Sequence, residues 1–265
     1  MRRRAERSGG ATRWALAGAA LGLAVGLVAF APAAWLAGAA AAATNQHLLL
    51  ADARGSVWSG SAVAVLTGGE GSHDARALPG RLHWTLGLDG AALGLRARQD
   101  CCITGTLRLR VAPGWGGLTI SLPASPQALG RWPADWLAGL GTPFNTLQLG
   151  GWLVLSSGGL RAESSAGRWQ VQGSAGLALD GLSSRLSPLP ALGSYRVALA
   201  GGTPPRVTLS TVSGPLLLSG SGEWTPTGLR FRGDASAAAG FEAALNNLLN
   251  IIGRRQGTRA VLSIG

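Results

Sequence analysis

Between residues 80 and 122 the chain alternates apolar and polar residues with a period of two, and glycine or proline punctuates every run. Leu82, Trp84, Leu86 and Leu88 share one side of the first run, with Arg81, His83 and Thr85 on the other. Leu107, Leu109 and Val111 oppose Thr106, Arg108 and Arg110 in the next, and Leu118, Ile120 and Leu122 repeat the arrangement. This period belongs to antiparallel strands that cover a core on one side. Residues 112–117 read as a hairpin loop between two of them. Runs at 147–155, 169–179, 195–200, 206–210, 215–219 and 229–232 extend the pattern into a meander of hairpins. The 42 glycines argue against a helical bundle and suit tight turns that need positive φ. The expected fold is mainly β, and the pattern fits an open curved sheet and a partial barrel equally.

Two segments depart from this period. Residues 123–143 interrupt the alternation, and RWPADWLAGLG within them predicts a short central helix with Pro133 in its first turn. This segment divides either two halves of one sheet or two small lobes. Near the end, Phe241, Leu245, Leu248, Leu249 and Ile252 recur at helical spacing, and Gly253 is expected as a left-handed C′ cap. Arg254 and Arg255 follow, where a helix dipole favours positive charge. A last strand is expected over 258–264.

The N-terminus sets the expected address. Residues 14–35 carry no charge, and a helix of that length spans about 33 Å, enough for the hydrocarbon core of a bilayer. Trp14 and Trp35 bracket Leu16, Leu21, Leu23, Val25, Leu27, Val28 and Phe30, as aromatic residues bracket membrane spans. Arg2, Arg3, Arg4, Arg7 and Arg13, against Glu6, give the first 13 residues a net charge of 5 − 1 = +4. The positive-inside rule then keeps the N-terminus in the cytoplasm. The expected division is a cytoplasmic tail (1–13), a single transmembrane helix (14–36), a linker (37–53) and an exported β-rich domain (54–265). A cleavable signal peptide would export the same domain, although the apolar run is long for one. A buried soluble helix is the third reading.

Little here points to chemistry. The net charge is +11, so the chain beyond residue 13 carries 11 − 4 = +7, dispersed and unlike a nucleic-acid surface. His47, His73 and His83 lack the spacing of metal ligands. No G-x-S-x-G elbow, Walker A loop or dinucleotide fingerprint occurs. No catalytic residue, metal or cofactor is expected. Cys101 and Cys102 are adjacent: they read as a structurally incidental pair, with a free or intermolecularly bonded thiol as the alternative in an oxidising compartment.

Several elements together resemble protein N of the bacterial type II secretion system, also called general secretion pathway protein N. They are the basic N-terminus with its apolar run; a G-x-x-W-S-G element at Gly55, Trp58, Ser59 and Gly60; SPLPALGSYRVALAGG (187–202); and residues 222–257, which include Leu245, Leu248, Leu249 and Gly253. The resemblance implies an accessory inner-membrane component of a machine that moves folded proteins from the periplasm through an outer-membrane channel. Its implied partners are other components of that machine, and it carries over no catalytic residue. The role expected is a scaffold or assembly factor. A competing reading is a tethered periplasmic protein that binds lipid or another apolar ligand on one face of a curved sheet. An envelope hydrolase would need a polar constellation that the sequence lacks.

Overall fold

The computed structural model describes residues 9–114, 117–165, 168–225 and 228–265. Its strands form one antiparallel sheet. The first half comprises β1 (Leu48–Gly55), β2 (Ser59–Thr67), β3 (Ala75–Ala77), β4 (Leu82–Asp89), β5 (Ala92–Arg98), β6 (Leu107–Gly114), β7 (Gly117–Leu122) and β8 (Gly130–Pro133). The second comprises β9 (Leu149–Ser165), β10 (Arg168–Ser184), β11 (Gly193–Gly202), β12 (Arg206–Ser213), β13 (Leu216–Thr225), β14 (Gly228–Ala237), β15 (Arg254–Gln256) and β16 (Arg259–Ile264). The spatial order is β1-β2-β4-β5-β6-β7-β9-β10-β11-β12-β13-β14-β16-β15, with β3 on β2 and β8 on β9. Neighbours in the chain are thus neighbours in the sheet, as the hairpin meander predicts. The sheet is open, with β1 at one edge and β15 at the other.

The alternation places Trp84, Ala97, Leu153, Tyr195, Leu216 and Ala235 in buried positions on one face. Helix α4 (Glu242–Ile252) lays Leu245, Leu248 and Leu249, all at most 1% exposed, on that face beside Tyr195 and Ala260. Gly253 differs from expectation. Its φ is −165°, so it enters β15 as extended backbone and is no left-handed cap; the closely apposed Val261 carbonyl leaves no room for a side chain there. Arg254 and Arg255 lie in β15, not at a helix end.

The central segment folds as β8, a 3-10 helix (Ala134–Leu140) and the one-turn helix α3 (Phe144–Leu147). Pro133 precedes the 3-10 helix as its N-cap. This segment makes the sheet curl. β2 and β9 are five strand positions apart, about 24 Å on a flat sheet. Yet Trp132, on the strand paired with β9, packs with Trp136 on the buried cluster of Ala64, Leu78 and Cys102. Gly139 of the 3-10 helix lies against the Leu66 carbonyl of β2, and Asn145 Nδ2 donates to Asp74 Oδ2 at 3.1 Å. One short segment touches both strands, so the sheet bends around it.

Cys101 and Cys102, in the β5–β6 connection, form a disulfide with each other, where the sequence favoured an incidental pair. Cys102 is buried under Trp132 and Trp136, and its carbonyl accepts from the Arg131 N–H at 2.7 Å.

The single helix expected over 14–36 is not what forms. Helix α1 (Gly9–Ala29) stops, and helix α2 (Ala33–Ala43) begins after Pro32, which caps it in extended conformation. Proline cannot donate the next helical hydrogen bond, and its ring disfavours helix in the residue before it. The uncharged part of α1, residues 14–29, would cover about 24 Å, short of the roughly 30 Å core. Among the described residues no helix is long and apolar enough to cross a membrane. Trp14, Leu16, Leu21, Leu23, Val25, Leu27, Val28 and Phe30 are nevertheless all exposed. Trp35 belongs to α2, which packs Ala33 and Leu36 on β2 and Trp84. Arg2, Arg3, Arg4 and Arg7 lie outside the described residues.

Candidate functional site at the helix–sheet joint

The turn between β1 and β2 carries Gly55, Trp58, Ser59 and Gly60, and it is where α1 meets the sheet. Gly55 turns the chain at φ +89°, and a Cβ there would stand 2.5 Å from the Ser59 carbonyl. The Ser56 N–H donates to that carbonyl at 2.9 Å, and the Ser59 N–H donates to Ser56 Oγ at 3.1 Å. Ser59 thus serves through its backbone. The closed turn aims two donors outward. Trp58 Nε1 donates to the Val28 carbonyl at 2.8 Å, and the Val57 N–H donates to the Ala31 carbonyl at 2.9 Å. Carbonyls at a helix C-terminus lack partners within the helix, and an unpaired one is costly where water is excluded. The turn supplies a partner to Val28 and to Ala31 just beyond the helix.

The next strand locks the turn. Trp84 Nε1 donates to the Val57 carbonyl at 3.1 Å, and the Leu86 N–H donates to the Trp58 carbonyl at 2.7 Å. Gly60 pairs with Trp84 across β2 and β4. The edge strand is fastened from the opposite side by Arg81. Its guanidinium donates to the Asp52 carboxylate at 2.7 Å, the Asp52 carbonyl at 2.6 Å and Ser61 Oγ at 3.1 Å. Arg54 adds a second ion pair to Asp52 at 2.9 Å. The Arg81 and Arg54 hydrogen bonds hold the Asp52 carboxyl below the ordinary carboxylate range. Asp52 itself has φ +49° beside a bulge that shifts the register between Ala51 and Arg54.

The site is therefore mechanical. Neutral indoles, amides and carbonyls join a helix to a sheet, and no nucleophile and base converge there. Among the described residues no group of three His, Cys, Asp or Glu could hold a metal ion. His83 is exposed on the polar side of β4, and the His47 ring bonds the Thr44 carbonyl at 2.9 Å.

Sequence reasoning named the four motif residues and missed the groups that complete the joint. Trp84 was visible only as one apolar residue in phase with leucines. Val28 was read as a membrane residue, and its use as an acceptor has no sequence signal. Leu245, Leu248 and Leu249 lie far from the joint; the structure brings them together with the only tyrosine in the chain, Tyr195, in a separate core. The Tyr195 hydroxyl donates within 2.9 Å of the Leu216 carbonyl and 3.1 Å of the Leu192 carbonyl, and burial pushes its pKa well above the ordinary value.

Among curated proteins and solved structures nothing matches the chain. The model of one family, type II secretion system protein N, matches residues 46–262, from the start of β1 almost to the end of β16. That span contains the joint motif, the central segment and the C-terminal helix, and the chain belongs to the type II secretion system protein N family.

Proposed function

We propose that this chain is an accessory component of the type II secretion system, tethered to the inner membrane, that acts as a non-catalytic scaffold or assembly factor through a periplasmic β-sheet. The observation that carries the tether is α1. Its large apolar side chains face outward all around, and hydrogen bonds from the β1–β2 turn fasten its C-terminal end to the sheet. Only an apolar surrounding stabilises such a surface. The whole helix is 21 residues, about 31 Å, if Arg13 extends its guanidinium to the headgroups. Arg2, Arg3, Arg4, Arg7 and Arg13 then hold the N-terminus in the cytoplasm. The tail (1–13), the anchor and the exported domain (54–265) are kept as part of this reading, although α1 starts at Gly9 and the expected linker (37–53) holds most of α2 and of β1.

A tether confines the sheet near the bilayer and raises its effective concentration for neighbouring components. Its open edges offer backbone groups to a partner strand. Deletion in the native host, with export of a type II substrate as readout, tests this reading. Complementation by the full chain but not by residues 45–265 behind a cleavable signal supports the tethered scaffold. Unchanged export, or equal rescue by both forms, goes against it. Site-directed crosslinking from the edge strands β1 and β15 that captures no secretion component would remove the scaffold role.

A further inference from the structure

Alternate connections of the meander lie at one end of the sheet. The β4–β5, β6–β7, β9–β10, β11–β12 and β13–β14 connections sit at the same end as the β1–β2 turn, because each strand pair closes there in register. Helix α1 departs from that end. The opposite end of the curl is plugged by the 3-10 helix, Trp132 and Trp136.

Between plug and turns the inner face is apolar, and its side chains are half-buried to exposed. Leu93, Val111, Ile120, Ala162 and Val171 are successive partners across β5, β6, β7, β9 and β10. None belongs to a buried cluster. Leu93 is 38% exposed, and at the open end Leu118 is 39% and Leu88 84% exposed. The other face of the same strands carries Arg96, Arg108, Arg110 and Arg161, so the sidedness is sharp. Elsewhere on the inner face α2 covers β2 and β4, and α4 covers β14 and β16. The row spans five strands, about 19 Å across.

We propose that this trough holds the acyl chain of a membrane phospholipid, entering from the end at which α1 leaves the sheet. The inference rests on α1 being in the bilayer: the mouth then opens at the membrane surface, where acyl chains are the adjacent apolar material. An alkyl chain needs no hydrogen-bond partner and gains by leaving water, which suits a row built only of aliphatic side chains.

The full chain reconstituted in phosphatidylethanolamine–phosphatidylglycerol vesicles, with a diazirine on the acyl chain, provides the test. Photoadducts are expected on α1 and on peptides carrying Val111, Ile120 or Leu160. The double variant Leu93→Asn, Leu118→Asn changes only part-exposed side chains, so the fold survives. It should lower trough adducts about tenfold while leaving α1 adducts unchanged, because an amide against an alkyl chain lacks a partner. Adducts on α1 alone overturn the trough and keep the anchor. Trough adducts without α1 adducts support the trough and remove the anchor. Trough adducts unchanged in the variant overturn the proposal. Ile120→benzoylphenylalanine in the native host separates occupants: an adduct of lipid mass supports it, and a protein adduct overturns it.

Discussion

Gly60 sits directly opposite Trp84 in the β2–β4 ladder, and the indole fills the space that a side chain at residue 60 would need. A Cβ there would stand 2.5 Å from Trp84 Cζ2 and 2.7 Å from the Arg54 carbonyl. Neither the ladder nor the carbonyl can yield without loss. Gly60→Ala should destabilise the fold by about 1–3 kcal/mol, the usual cost of overpacking, read as a lower urea midpoint.

Trp58→Phe keeps the ring and removes the donor to Val28. The global cost should be about 0.5–1.5 kcal/mol. The sharper readout is local: proteolysis between α1 and α2 should accelerate while the sheet stays resistant. Equal protection in variant and parent would mean the bond does not hold the joint.

Asp52 ties β1 to Arg81 only while ionised. Its carboxyl titrates below the ordinary value of 3.8, so the link is whole above that pH and is lost as pH falls through the lowered range. Protection of β1 amides against hydrogen exchange, relative to their intrinsic rates, should fall on acidification before the rest of the sheet responds. Asp52→Asn should show the lower protection already at neutral pH.

Tyr195 is buried as a neutral phenol, with its pKa raised above the ordinary 10.0 by desolvation. The unfolded chain releases that proton near pH 10 and the folded chain does not. Stability is therefore whole below that pH and falls above it, by up to about 1.4 kcal/mol per pH unit. With one tyrosine in the chain, tyrosinate absorbance should appear together with unfolding and not before. Tyr195→Phe should remove this alkaline slope.

Leu248 is 1% exposed under α4. Leu248→Ala should cost about 2–5 kcal/mol, against a few tenths for the exposed Asn250→Ala on the same helix, in thermal unfolding.

What could be read from sequence was what depends on near neighbours. Leu82, Trp84 and Leu86 announce their strand because side chains alternate along any strand. Leu245, Leu248 and Leu249 announce their helix for the corresponding reason. Pro32 was equally visible, yet the reading of 14–35 as one span took no account of it, and the helix stops before the proline. Gly253 looked like a cap because a glycine after a helix usually is one; the close Val261 carbonyl gives it another reason to be glycine. Trp58 bonding Val28, and Trp132 reaching the cluster around Ala64, join residues far apart in the chain. No local period encodes such pairs, so neither the joint nor the curl could be derived from the pattern. The Cys101–Cys102 bond had to be seen.

Because spatial order in the sheet follows chain order almost without exception, the molecule can be assembled from one side. Each hairpin, as synthesis delivers it, finds its template in the strand made just before, and no strand of the main ladder waits for a distant partner. Only the covers arrive out of step: the central segment after seven strands, and α4 once β14 is complete. During that interval the growing edge and the uncovered inner face are the vulnerable surfaces, and a chain truncated before residue 242 should keep its ladder yet expose the apolar face that α4 protects.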